Sequence, residues 1–345
     1  MGSATTAVVA ALHERLATRV LVVVTASPTK AAEAEADLEM LLGRDTSYLF
    51  PQREALPYES SEPHLEIGGL RVEAVEALLG GRARLMVTTV RAPQERSPIP
   101  SGLADLRVTL RVGEEAGFQV LLDELSERGF ERVSVVEEVG QYAVRGGLLD
   151  VFSFGTPEPL RVEFWEDEVV SMRYFDILDQ RSTMNVQEAH ILPVDFRRES
   201  SDGPLVSRSL LELLPVDTLF VRLGDGAWEP ELRRTWSHVC RLHDELLVQG
   251  SQPDSPETLF LTPEEAETHL RSFAWVDMVG ELVGNVVLDC SPPPVIDRNI
   301  GRLRDALRGL AGRGGRTLVL CDNQGQCDRL EEIIGGPGKI PPGAN

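Results

Sequence analysis

The sequence predicts an α/β protein: parallel sheet covered by helices on both faces, with a small antiparallel α+β module inserted between two parallel stretches. Three observations carry this. Val20–Val24 and Leu85–Val90 are unbroken apolar runs of strand length, as in strands covered on both sides. Helical periodicity lies between them. From Arg132 to Phe175 the pattern becomes short runs of alternating apolar and polar residues divided by turn signals, which marks half-buried antiparallel strands.

Each element follows from local chemistry. Thr5–Arg19 places Val8, Val9, Leu12 and Leu16 on one helical face. Ser27-Pro28 reads as an N-cap followed by proline at the first helical position, and Gly43 stops that helix after Leu42. Tyr48–Phe50 is a short strand, and Ile67–Leu79 is a helix stopped by Gly80-Gly81. Leu106–Leu110 opens the module, followed by an amphipathic helix over Phe118–Arg128. Strands are expected at Arg132–Val136, Gln141–Val144, Leu148–Phe152, Leu160–Trp165 and Val169–Phe175. Phe196–Pro204 is polar and reads as a linker. Strands at Thr218–Val221, Thr258–Leu261 and Asn285–Leu288 then alternate with a helix over Glu229–Val248 and one opened by the capping box at Thr262. Ile300–Leu310, Thr317–Cys321 and Gln324–Ile334 read as helix, strand and helix, the start of a further α/β unit. The tail from Gly335 to Asn345 is rich in Gly and Pro and is expected to be disordered, so the chain reads as a piece of something longer.

Composition narrows the function. The 345 residues carry 55 Asp and Glu against 34 Lys and Arg, a net charge of −21, which disfavours non-specific grip on a phosphate backbone. A protein or a small molecule is the default partner. Four irregularly spaced cysteines read as reduced thiols in a cytoplasmic protein. No membrane span or signal peptide is expected. His238 and His243 are about 140° apart on a helix and do not converge on a metal. Cys321 and Cys327 lack zinc spacing, and the acidic run around Glu163 to Glu168 suggests no catalytic pair. The one place for a phosphate-binding loop is Gly2-Ser3-Ala4-Thr5-Thr6, which lacks the required Lys. In Leu160–Trp165 the period of two sends Leu160, Val162 and Phe164 to the core and Arg161, Glu163 and Trp165 to the other face. That face reads either as a binding stripe or as an ordinary solvated sheet surface.

Sequence motifs add a resemblance. Residues 141–152, QYAVRGGLLDVF, resemble the Y-x-x-R-G-x-x-x-D-x-F signature of the UvrB-interaction region, and 161–169, RVEFWEDEV, resemble its continuation. Phe175-Asp176 and Gln180-Arg181-Ser182 follow the same pattern. Leu56-Pro57-Tyr58-Glu59, Ser61-Glu62-Pro63-His64, Arg71 and Val87–Ala92 are similar to blocks of the transcription-repair coupling factor family. The N-terminus resembles that family's decayed P-loop, with Gly2 and Ser3 kept, Thr5 in the place of the Lys, and Thr6 following.

The resemblance implies the N-terminal, UvrB-like region of that family. The expected domains are a degenerate, P-loop-like α/β domain over 1–105 and a module like the second domain of UvrB over 106–195. The second part of the α/β region is expected over 196–298, and the further unit over 299–334. It implies a non-catalytic adaptor that recruits UvrA in nucleotide excision repair, with Arg145, Arg161, Glu163 and Trp165 at the contacting positions. Ala143 stands where UvrB has a further Arg, which implies weaker affinity. No cofactor or metal is implied. RNA polymerase and DNA would be engaged through other parts of the parent protein, an ATP-driven translocase whose motifs this chain lacks. Two other readings stand beside it: a UvrB-like DNA- or nucleotide-binding module, and an inert scaffold.

Overall fold

A computed structural model describes residues 4–59, 64–100, 106–196, 207–224 and 228–278, and in the C-terminal stretch residues 286, 295–297, 299–313, 317, 319, 321 and 323–334. The chain divides into two compact units, one of residues 3–283 and one of residues 284–345 with 1–2.

The first unit opens with α1 (Ala4–Arg15), β1 (Leu21–Thr25), α2 (Pro28–Leu42), β2 (Tyr48–Phe50), α3 (Leu65–Leu79) and β3 (Leu85–Thr89). A short β4 (Arg96–Ser97) leads to the module: β5 (Val108–Arg111), α4 (Phe118–Glu127), β6 (Glu131–Arg132), β7 (Gln141–Arg145), β8 (Leu148–Val151), β9 (Leu160–Trp165), β10 (Glu168–Phe175), β11 (Ser182–Asn185) and β12 (Glu188–Ile191). The chain returns through β13 (Arg208–Ser209), β14 (Leu219–Leu223), α5 (Trp228–Val248), α6 (Pro256–Leu259), α7 (Pro263–Ser272) and β15 (Ala274–Met278). The second unit contributes α8 (Ile300–Ala311) and α9 (Gln324–Ile334).

The parallel sheet has the order β15-β14-β1-β3-β2, so strands from both sides of the module share it. Its central strand β1 is buried along its whole length. Leu21 and Val23 pack with α1 and α2, while Val22 and Val24 face α3, α5 and α7. Doubly covered strands need no alternation, which is why β1 and β3 read as continuous apolar runs. Ser27 caps α2 by accepting from the Lys30 amide, and the Thr262–Glu265 capping box opens α7.

The module is a six-stranded sheet, β11-β10-β9-β8-β7-β6, antiparallel except for the β6–β7 pair. Its inner face packs Val162, Phe164, Leu149 and Met172 against Leu121, Leu122 and Leu125 of α4, and against the β5–β12 pair. The module sits tightly on α3. A Cβ on Gly68 would lie 2.6 Å from the Val194 carbonyl oxygen, and one on Gly69 would lie 2.1 Å from the Phe154 ring. Arg53 reaches across with two hydrogen bonds to Asp195, at 3.1 and 3.0 Å.

Several expectations are corrected. Only the start of Arg132–Val136 is strand; Val133, Val136 and Val139 instead fold over the sheet onto Ala143 and Phe152. Thr258–Leu261 is not a strand, because Ser255-Pro256 starts the single turn α6, and Phe260 makes only an isolated bridge to Glu95. β11, β12 and β15 were not anticipated; β11 is exposed throughout and β15 is a half-exposed sheet edge, so neither shows a clean alternation. The expected linker begins on a buried residue, Phe196, and the remainder of Phe196–Pro204 lies outside the described residues, as do most of Asn285–Leu288 and the tail from 335. Residues 317, 319 and 321 are described and are not in a strand.

Candidate protein-binding face

The four residues expected to meet a partner lie on one face of the module sheet, opposite its core. Along β9, burial alternates: Leu160, Val162 and Phe164 are buried, while Arg161, Glu163 and Trp165 point outward. The hairpin joining β7 and β8 brings Arg145 to the same face. Arg145 pairs with Leu148, Leu148 with Glu163, and Glu163 with Ser171, which forms one row across four strands. The next row is Ala143, Asp150, Arg161 and Arg173. Arg145 and Arg161 therefore share a face, in adjacent rows. The turn that sets this register needs its glycines: Gly146 has φ +61°, and a Cβ on Gly147 would lie 2.6 Å from the Phe164 carbonyl oxygen.

Half of this face is roofed. Val133, Val136 and Val139, together with Ile177, pack over Ala143 and Phe152. The other half is open and holds Arg145, Glu163 and Trp165. Trp165 is 73% exposed, far outside the usual burial of tryptophan. It stands on a fixed hairpin: the Asp167 carboxylate accepts from the Phe118 amide at 2.8 Å, and the Asp167 carbonyl from the Ala116 amide at 2.9 Å. The β9–β10 turn is thus pinned to the start of α4. Glu163 accepts from the Ser171 hydroxyl at 3.0 Å and faces Arg173 at 3.6 Å. Arg145 donates to the Ser134 carbonyl at 3.3 Å and makes no ion pair among the described residues.

Arg161 differs from the other three. Its side chain is only 15% exposed. It donates from Nε and Nη2 to the two Asp150 oxygens at 2.6 and 2.8 Å, donates again to Gln180 Oε1 at 3.2 Å, and stacks over the Phe175 ring at 4.3 Å. The hydrogen bonds it donates to Asp150 hold Arg161 above the usual guanidinium range in spite of burial. Strand alternation gives the face of Arg161 but not its neighbours. Asp150 lies directly across from it on β8. Asp150 was visible as the acid of the D-x-F motif, and no spacing rule revealed its partner.

Of the expected loop residues, Thr5 and Thr6 are described and lie in α1. Thr6 is buried in α1 and its hydroxyl donates to Asp37 at 3.0 Å; Thr5 is half-buried on the same helix. Gly2 and Ser3 lie outside the described residues. Among the described residues no group of three or more His, Cys, Asp or Glu could hold a metal, and no helix is long and apolar enough to cross a membrane.

Comparison with known proteins relates the module to a family. Residues 108–196 match the family model described as the UvrB interaction domain. The chain is 26% identical to the transcription-repair-coupling factor of Haemophilus influenzae over 93% of this chain and 32% of the relative. It is 37% identical to that of Mycobacterium bovis, over 72% of this chain and 21% of the relative. Against that of Staphylococcus aureus it is 29% identical over 50% of this chain and 15% of the relative. The chain spans a third or less of the length of each. The antiparallel module is a UvrB interaction domain, and the chain that carries it is related to the transcription-repair-coupling factors, consistent with their N-terminal region.

Proposed function

We propose that this chain is an adaptor that recruits UvrA in transcription-coupled nucleotide excision repair, without catalysing a step itself. The observation that carries the reading is the open half of the module's outer face. A rigidly mounted Trp165, exposed to 73%, stands beside Arg145 and Glu163 in a UvrB interaction domain. An exposed tryptophan flanked by charges of both signs suits a protein partner: the ring supplies a central anchor and the charges set the register. The missing phosphate-loop Lys and the net charge of −21 speak against a nucleotide- or DNA-binding role. RNA polymerase and DNA would be engaged through other parts of the longer relatives, and the chain's place of work would be the cytoplasm.

Titration calorimetry with UvrA from the same source tests the reading, using the full chain beside Trp165→Ala and Arg145→Ala. Both side chains are exposed, so neither change should alter stability by more than about 0.5 kcal/mol. Each should weaken binding at least about tenfold, as truncation of an interface anchor does. A wild-type chain that does not bind UvrA overturns the adaptor reading and favours the scaffold. Binding that neither variant weakens would leave the partner but move its surface elsewhere.

A further inference from the structure

Arg161 is placed unlike the other outward residues, and the segment it holds explains the difference. Turn 176–181 follows β10 and is ordered by its own hydrogen bonds. The Asp176 carboxylate accepts from the Leu178 amide at 2.7 Å and the Asp179 amide at 3.2 Å. The Asp176 amide donates to the Arg181 carbonyl at 2.9 Å, and Gln180 adopts a left-handed φ of +59°. Ile177 joins the roof of the outer face, while Leu178 projects from the turn, 93% exposed. One hydrogen bond, Arg161 Nη2 to Gln180 Oε1, joins this turn to the ion pair at the sheet. Asp150 is buried and beyond the reach of any partner, and a bidentate pair already satisfies both of its oxygens.

Arg173 is held more loosely, with its side chain 26% exposed. It lies across from Arg161 on the same face and donates to the Ser171 hydroxyl at 3.1 Å. Its only ion pair among the described residues is the long 3.6 Å contact with Glu163. Its charge is therefore little committed, beside the row that carries Arg145 and Glu163.

We propose that Arg161 is a positioning residue: it latches turn 176–181 to Asp150 behind the docking face, and the cations offered to the partner are Arg145 and Arg173. The identity of that partner rests on the adaptor reading above. The latch orders the rim of the face and keeps Leu178 fixed at its edge. Arg173 and Arg145 then flank Glu163 and Trp165 and can receive carboxylates of the partner.

Two measurements on the full chain test this: UvrA affinity by calorimetry, and amide hydrogen exchange of residues 176–181 in the free chain. The deciding variant is Asp150→Asn. The latch predicts faster exchange at 176–181 and affinity about tenfold weaker, although Asp150 cannot touch UvrA. If Arg161 were itself the contact, Asp150→Asn would release its charge, and affinity would stay the same or rise; that result overturns the proposal. Unchanged exchange overturns it equally. Gln180→Ala, which removes only the turn's side of the latch, should also speed exchange and guards against a folding defect in the first variant. Arg173→Ala should weaken binding about tenfold with exchange at 176–181 unchanged; full affinity in that variant would refute the assignment of Arg173. Should the wild type fail to bind UvrA, the adaptor reading falls, and the exchange data still decide for or against the latch.

Discussion

Removing the charge of Glu95 should cost this protein more stability than removing Arg71, although the two form one buried ion pair. Arg71 is fully buried on α3. It donates to the Pro51 carbonyl and to Glu95, each at 2.8 Å, lies 3.4 Å from the Ser97 hydroxyl, and stacks on Phe50 at 4.2 Å. Burial pulls it down to about 10, so it is still a cation at neutral pH. Glu95 has a second cationic partner besides Arg71: it accepts from Arg91 Nε at 3.0 Å, and also from the Arg53 amide at 3.2 Å. In Arg71→Met the carboxylate keeps Arg91 and the amide, which places the loss near the lower end of the range for a broken buried pair, about 3 kcal/mol. In Glu95→Gln a fully buried guanidinium loses the carboxylate it is bonded to and Arg91 loses its ion pair, which places the loss near the upper end, about 5 kcal/mol. At roughly 2–4 °C per kcal/mol for a domain of this size, the melting points should fall by roughly 9 and 15 °C. Scanning calorimetry at pH 7 reads both, and the double variant should lose less than the sum of the singles, since the sites share one interaction. A loss in Arg71→Met equal to or greater than that in Glu95→Gln would refute the reasoning, because it would mean that Glu95 is not held by its remaining donors.

Three further outcomes are expected. Burial alone would raise Asp195, but the paired hydrogen bonds and charge of Arg53 hold it below the ordinary value. The stability it lends is therefore present above the unfolded-state value and lost as pH falls through the folded one; urea titrations from pH 5 to pH 2 should show a loss that Asp195→Asn lacks. Burial and the charge of Asp45 raise Glu73 to about 7. A raised carboxyl favours the folded state at low pH and loses that contribution as pH rises toward 7, so Glu73→Gln should raise the melting point more at pH 8 than at pH 5; an equal effect at both would contradict it. Gly69→Ala would drive a Cβ to 2.1 Å from the Phe154 ring. It should cost about 1–3 kcal/mol and loosen the module on α3, read as faster amide exchange around Val194; an unperturbed variant would show that the contact yields freely.

The parallel core was legible because its chemistry is local. Strands such as β1 are covered on both faces and so announce themselves as unbroken valine and leucine runs, and Ser27-Pro28 and Thr262-Pro263 carry their caps in their own side chains. The alternation in Leu160–Trp165 named the outward residues correctly, since a strand's period of two depends on nothing beyond the strand. The less legible elements depend on neighbours. Val133–Val139 has the apolar content of a strand, but its residues cover the sheet instead of joining it. β11, β12 and β15 exist through their pairing partners more than through their own pattern.

The same division holds at the binding face. By itself the sequence determined that Arg161, Glu163 and Trp165 share one side of a strand and that Arg145 precedes a glycine turn, because backbone geometry sets both. Only the tertiary structure decided that Arg145 joins that side, that half of it is roofed, and that Trp165 is exposed while Arg161 is held by Asp150, Gln180 and Phe175. Those facts rest on register between strands and on a turn folding back from the end of β10. Contacts between segments far apart in the chain settle which charged side chain is already spent and which remains available, and no period along the sequence records them.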